Sequence, residues 1–204
     1  MGYFPFYIDI ENKNCIIIGG GTVALRKLEK LREFKPVITV IAPDICDEIN
    51  RFADIKIIKR KFEDRDINNA FMVISATDDK ELNTHIFALC KEKNILINTV
   101  DDKDKCGFIF PALVKKDNIT VGISTSGKSP LYSRFLRERI EKLLDEDCDK
   151  TVEILSKYRA EIKRRVKSEE NRKKAFEMIL DLCIRGTENI DDELILKITE
   201  GLDK

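Results

Sequence analysis

The chain has 204 residues, 43% hydrophobic and 36% charged, enough for one domain of ordinary size plus a smaller one with a real core. Its 37 basic residues balance 37 acidic ones, which removes the global basic excess of a nucleic-acid-binding protein. No apolar run reaches the roughly 18 residues that a membrane span needs. Met1-Gly2-Tyr3-Phe4-Pro5 has no basic n-region and no apolar h-region, and Phe6 stands where a myristoylation signal has Ser or Thr. Cys15, Cys46, Cys90, Cys106, Cys148 and Cys183 form no Cys-x-x-Cys pair. They read as free thiols in a reducing cytoplasm, with no zinc or iron–sulfur site expected.

Phe6 to Ile10 reads as a short opening strand, closed by the turn Glu11-Asn12-Lys13-Asn14. The apolar run Cys15-Ile16-Ile17-Ile18 then enters Gly19-Gly20-Gly21 and a helix to about Phe34, with Thr22 as its cap and Val23, Leu25, Leu28 and Leu31 as its apolar stripe. Gly19, Gly21 and Ala24 fit the Gly-x-Gly-x-x-Gly/Ala turn of dinucleotide-binding folds. Gly19 permits the tight turn, Gly21 lets a pyrophosphate approach the backbone, and the N–H groups of Thr22 and Val23 at the helix start face an anion. Lys35-Pro36 ends the helix and Val37 to Ile41 is the second strand. It runs into Ala42-Pro43-Asp44, where Asp44 is either the adenosine-ribose contact or a helix N-cap. No Arg follows before Arg51, which tilts the cofactor to NAD over NADP.

A helix is expected over Asp44 to Phe52, strands over Ile55 to Lys59 and Phe71 to Ala76, a helix from Thr77-Asp78-Asp79 to about Glu92, and a strand over Ile95 to Asn98. Small polar residues after the fourth strand, Thr77 among them, bring backbone near the nicotinamide half of a dinucleotide. The alternation argues an α/β fold with a doubly wound parallel sheet. Beyond Pro111 the pattern changes. Strands at 108–114 and 119–124 are joined by Lys115-Lys116-Asp117-Asn118 as a hairpin. The loop Thr125-Ser126-Gly127-Lys128 then leads to Ser129 as N-cap and Pro130 at the first helical position. From Leu131 onward the chain reads as helices with a break near Arg185-Gly186-Thr187, carrying too little apolar surface for an independent core. His85, the single histidine, reads as a structural mid-helix residue, so no histidine metal site is available.

These motifs resemble the precorrin-2 dehydrogenases of siroheme synthesis, some of which are also sirohydrochlorin ferrochelatases. The resemblance rests on Phe4-Pro5, Cys15 to Ala24 with Arg26-Lys27, Ile41-Ala42-Pro43, Ala76-Thr77-Asp78-Asp79 with Asn83, Asn98-Thr99-Val100-Asp101, Phe108 to Ala112 and Ile123 to Pro130. It covers about residues 3 to 145, and the helical tail matches only in character. It implies a Rossmann NAD-binding domain over 1–112, a dimerisation region over 113–146 and a helical domain over 147–204. It also implies NAD-dependent oxidation of precorrin-2, with ferrous iron as a second substrate in the bifunctional, lyase branch, while the hairpin at 108–124 and the charge-rich helices predict a homodimer. The family's catalytic aspartate falls on Asp101, and its Ser-rich loop on Ser124 and Thr125, where one branch has a second serine in place of Thr125.

Asp101 follows the fifth strand at the carboxyl edge, where a carboxylate can serve as general base and partial burial would raise its pKa. By spacing alone it is equally a turn aspartate, with Asp102 and Asp104 beside it, and Asp102 is expected to face away. A polycarboxylate tetrapyrrole calls for cations, and Lys103, Lys105, Lys128, Arg134 and Arg137 surround the relevant loops. Two other functions share these features: a dehydrogenase of the same fold for another substrate, and a non-catalytic NAD-sensing regulator.

Overall fold

The computed structural model describes residues 3–144, 146–186 and 190–202. The chain divides into two compact units, one from Tyr3 to Phe110 and one from Pro111 onward.

The first unit is a five-stranded parallel sheet of β1 (Asn14–Ile18), β2 (Val37–Ile41), β3 (Lys56–Ile58), β4 (Met72–Ser75) and β5 (Leu96–Thr99), in the order β3-β2-β1-β4-β5. Its helices are α1 (Thr22–Arg32), the one-turn α2 (Asp47–Asn50) and α3 (Lys80–Glu92). Ile16 lies opposite Thr39 on one side and Val73 on the other, so β1 is the central strand and both of its faces are covered. Alternation sends Cys15 and Ile17 to the core containing Ala24, Leu28 and Leu31 of α1, and Ile16 and Ile18 to the core containing Ile86 and Cys90 of α3. Burial pushes the Cys15 and Cys90 thiols up to about 11, as expected of thiols serving as core side chains.

Two expected elements change. Residues 6–10 form no strand: Phe4, Phe6 and Tyr7 are exposed, so a strand there would have no apolar face to bury. The helix expected over 44–52 shrinks to Asp47–Asn50, because Cys46 N–H donates to Gly20 O at 2.9 Å and keeps the preceding loop extended.

In the second unit β6 (Ala112–Lys116) pairs antiparallel with β7 (Ile119–Ile123) around Asp117, whose φ is 42°. The first hairpin strand starts at Ala112 rather than 108, because the preceding segment bonds elsewhere: Gly107 N–H donates to Ile97 O at 2.8 Å and Asn98 Nδ2 to Phe108 O at 3.0 Å. Four helices follow: α4 (Pro130–Leu143), packed on β6, then α5 (Glu146–Arg165), α6 (Glu169–Ile184) and α7 (Asp192–Leu202). Lys116 Nζ donates to Leu144 O at 2.7 Å, and the backbone and side-chain amides of Asn118 both donate to Asp149 Oδ1 at 3.1 Å, tying hairpin to helices.

The expectation of too little apolar surface is corrected. Tyr158, Ile162, Val166, Ala175, Ile179, Ile195 and Ile198 form a buried core of their own between α5, α6 and α7. Gly186, at φ 72°, ends α6 where the break was expected, while Thr187 lies outside the described residues. Among the described residues no helix is long and apolar enough to cross a membrane.

Candidate active site

Strand order reverses between β1 and β4, and the carboxyl ends of a parallel sheet open a crevice at such a point. Gly19 N–H donates to Ile41 O at 2.9 Å and Ala76 N–H to Ile18 O at 2.8 Å, which fixes the turn after β1 between its two neighbours. The resulting cleft has a volume of about 950 Å³, and Gly19, Gly21, Thr22, Val23, Pro43, Asp44 and Thr77 all line it. All seven residues expected around the cofactor are thus brought together.

The three glycines are constrained differently. Gly19 has φ 122°, and a Cβ there would collide with the Ala76 carbonyl. A Cβ on Gly20 would collide with the Asp44 carbonyl, a requirement the sequence pattern does not single out because it arises from the loop after β2. Gly21 has nothing within 4 Å of where its Cβ would stand. It is also the N-cap of α1, with no side chain capping the helix and no acidic residue in its first turn. Thr22, expected as the cap, is the first helical residue instead. Open space above Gly21, uncapped amides and the positive end of the helix dipole together fit a pyrophosphate.

The floor of the cleft is held by Asn83 on α3. Its Oδ1 accepts from Ser75 Oγ and from Thr77 Oγ1, each at 2.7 Å, while its Nδ2 donates to Thr77 O at 2.9 Å. Asn83 therefore sets the backbone at the tip of β4, a positioning role that spacing alone did not assign. Asp79 caps α3 by accepting from Glu81 and Leu82 N–H at 3.0 Å. Asp44 is not the cap of α2, which is Cys46. His85 lies outside the cleft lining and meets Asp64 Oδ1 at 2.7 Å.

Asp101 stands just beyond β5 in the same unit, exposed and at φ 60°, and does not line the cleft. The expected partial burial is absent, because Asp101 sits on the outer turn of the loop that follows the strand. A left-handed backbone is tolerable for Asp more than for most residues. Its neighbour Asp102 is committed to the loop itself. It accepts from Asp104 N–H at 3.2 Å and pairs with Lys105 Nζ at 2.9 Å, which holds its carboxyl below the usual range. Cys106 Sγ lies 3.2 Å from Thr99 O and 3.1 Å from Asp102 O, fastening the same loop.

Ser124, Thr125 and Lys128 share one loop of the second unit. The Thr125 hydroxyl is committed to that loop: it accepts from Ser129 N–H at 3.1 Å and lies 3.0 Å from Ser133 Oγ. Ser124 Oγ accepts from Ser126 N–H at 3.1 Å. Lys128 is exposed.

The comparisons with known proteins agree with this layout. A family described as "Putative NAD(P)-binding" matches residues 6–112, and one described as "Sirohaem biosynthesis protein central" matches residues 116–143. A siroheme synthase of Thioalkalivibrio sulfidiphilus is 36% identical over 212 residues, covering 100% of this chain and 43% of the relative. One from Blochmanniella pennsylvanica is 37% identical over 182 residues, covering 88% of this chain and 38% of the relative. The chain thus spans about two fifths of the length of these relatives. Among solved structures, SirC, a precorrin-2 dehydrogenase, superposes with a TM-score of 0.77 at 22% identity, covering 98% of this chain and 99% of that one, which shows a shared fold. With an NAD(P)-binding match over more than half its length, a sirohaem-biosynthesis match following it and siroheme synthases as relatives, the chain belongs to an NAD(P)-binding family of siroheme-synthase-like proteins.

Proposed function

We propose that this chain oxidises precorrin-2 to sirohydrochlorin with NAD as hydride acceptor. The observation that carries the reading is the open, uncapped glycine turn at the strand-order reversal, with an exposed carboxylate, Asp101, at the tip of the outer strand of the same sheet. Gly19 to Val23 would hold the pyrophosphate, Asp44 the adenosine ribose, and the Thr77 backbone, fixed by Asn83, the nicotinamide side. When bound, the nicotinamide supplies the hydride-accepting carbon. Asp101 takes the proton that leaves the macrocycle as the hydride departs, so hydride and proton are both accounted for. Ser124 and Lys128 offer a hydroxyl and a cation to the carboxylates of the substrate, with Thr125 bracing their loop. The names of the curated relatives, siroheme synthases, support the pathway.

The same reading includes a cytoplasmic homodimer and the three-part division at 112/113 and 146/147. Exposed Leu131, Tyr132, Phe135 and Leu143 on α4 support the dimer, and a monomer by light scattering at micromolar concentration would remove it.

The test is purified protein with precorrin-2 and NAD, followed by absorbance, with ferrous iron added in a second step. NADH and sirohydrochlorin should appear together in the first step, and iron-dependent spectral change in the second reads chelation separately. No NADH with authentic precorrin-2 overturns the dehydrogenase reading. Gly21→Asp should abolish NAD binding in a folded protein, since the new carboxylate enters open space facing the phosphates.

A further inference from the structure

Lys27 on α1 is a half-buried cation without a counter-ion: among the described residues its ammonium takes part in no ion pair or hydrogen bond. Its Nζ lies instead 4.0 Å from the centroid of the Phe110 ring. That ring stands 5.4 Å from Phe108. The arm carrying both rings is pinned to β5 by the bonds of Gly107 to Ile97 O and of Asn98 to Phe108 O. Lys27 is therefore backed by a fixed aromatic wall.

A desolvated ammonium is unfavourable unless an anion meets it, and an aromatic face offsets only part of that cost. Burial pulls the Lys27 pKa down to about 8, with Lys30 and Arg26 pushing the same way and Cys106 and Asp101 opposing them. The charge of Asp101 thus reaches Lys27, although the two form no ion pair. The arrangement is a cation, a carboxylate and two aromatic rings in one region of the first unit, with the cation unpaired.

We propose that Lys27 is a substrate anchor: its ammonium, backed by the Phe108 and Phe110 arm, binds one carboxylate of the tetrapyrrole near Asp101. This deepens the dehydrogenase reading and rests on it. The anion that Lys27 lacks among the described residues is of the kind that a polycarboxylate substrate carries. Charge-assisted pairing in a partly dry setting is worth more than pairing at the surface.

The experiment titrates the full chain, without NAD, with uroporphyrin, an octacarboxylate porphyrin, and follows porphyrin absorbance. Lys27→Met, Lys27→Gln and Lys27→Arg are compared with the parent, and NAD affinity is measured on each as a check of folding. The Met and Gln variants should lose roughly 10- to 100-fold in porphyrin affinity and gain a similar factor in KM for precorrin-2, with kcat nearly unchanged. The Arg variant should recover most of the loss, and NAD affinity should stay at the parental value in all three. Parental porphyrin affinity in the folded Met and Gln variants overturns the anchor alone, leaving the dehydrogenase reading intact. A parent that binds neither uroporphyrin nor precorrin-2 overturns that reading and the anchor with it.

Discussion

The sheet unit and the helical unit bury their cores by opposite means. Along β1, Cys15, Ile16, Ile17 and Ile18 are all buried, because a central parallel strand is covered on both faces and has no place for a charge. In α5 the described buried side chains are Tyr158 and Ile162, one helical turn apart, and the charged residues occupy the remaining faces. Charge density therefore says little about whether a helix has a core face, whereas in a central strand it says a great deal. The sheet unit also carries the glycine turn and Asp101 of the proposed reaction, and the helical unit has a core of its own.

That division of labour can be broken most directly at Asp101. Asp101→Asn should slow precorrin-2 oxidation by roughly 10²–10⁴-fold, the usual contribution of a positioned general base, while NAD affinity is retained. Asn is the cleaner substitution, because Asn tolerates φ 60° and Ala does not. Parental turnover in Asp101→Asn would assign the proton to another acceptor. The next effect concerns the helical core. Ile162→Ala should cost about 2–5 kcal/mol in the denaturant-induced transition of the second unit, with NAD affinity unchanged. Loss of NAD binding at denaturant concentrations where only that core melts would show that the two units are energetically one.

A smaller effect should appear at Lys27, where the proposed anchor works against the stability of the sheet unit. Its folded pKa is about 8 against an ordinary 10.5, so below pH 8 both states carry the proton and the folded state bears the whole burial penalty. Between pH 8 and 10.5 the unfolded chain binds more protons, so this contribution to stability rises with pH. Lys27→Met should therefore gain on the order of 1–3 kcal/mol at pH 7, shrinking toward nothing near pH 10.5. Thermal melts across that range would read the slope, and a gain independent of pH would attribute it to packing. The smallest effect belongs to Ser129, whose Oγ accepts from Tyr132 N–H at 3.3 Å at the start of α4. Ser129→Ala should destabilise the second unit by about 1 kcal/mol, checked by the same denaturant titration.

Much of the sheet unit was legible in the sequence because each signal was local. The run Val37–Ile41 is observed at its expected bounds, and Pro130 follows its Ser129 cap as expected. The elements that were not legible depend on partners far along the chain. Gly20 is required by the Asp44 carbonyl, and α2 is shortened by a bond from Cys46 to Gly20 O. Neither appears in the periodicity of either segment. In the same way, Asn83 has no special look within α3, and its role exists only once Ser75 and Thr77 lie beside it. The helical core was missed for a different reason: its members are spread over three helices, and the longest of them, α5, carries more charged than apolar residues.

The unequal glycines after β1 bear on how such a chain can change over generations. Positions 19 and 20 are fenced by neighbouring carbonyls, so drift there is punished by misfolding before any ligand is involved. Position 21 has no such fence. A single replacement there can silence the nucleotide site and leave an intact scaffold for selection to reuse. On the proposed reading, the fold thus keeps an exit from dehydrogenase chemistry one codon away, at the glycine whose missing side chain leaves open space.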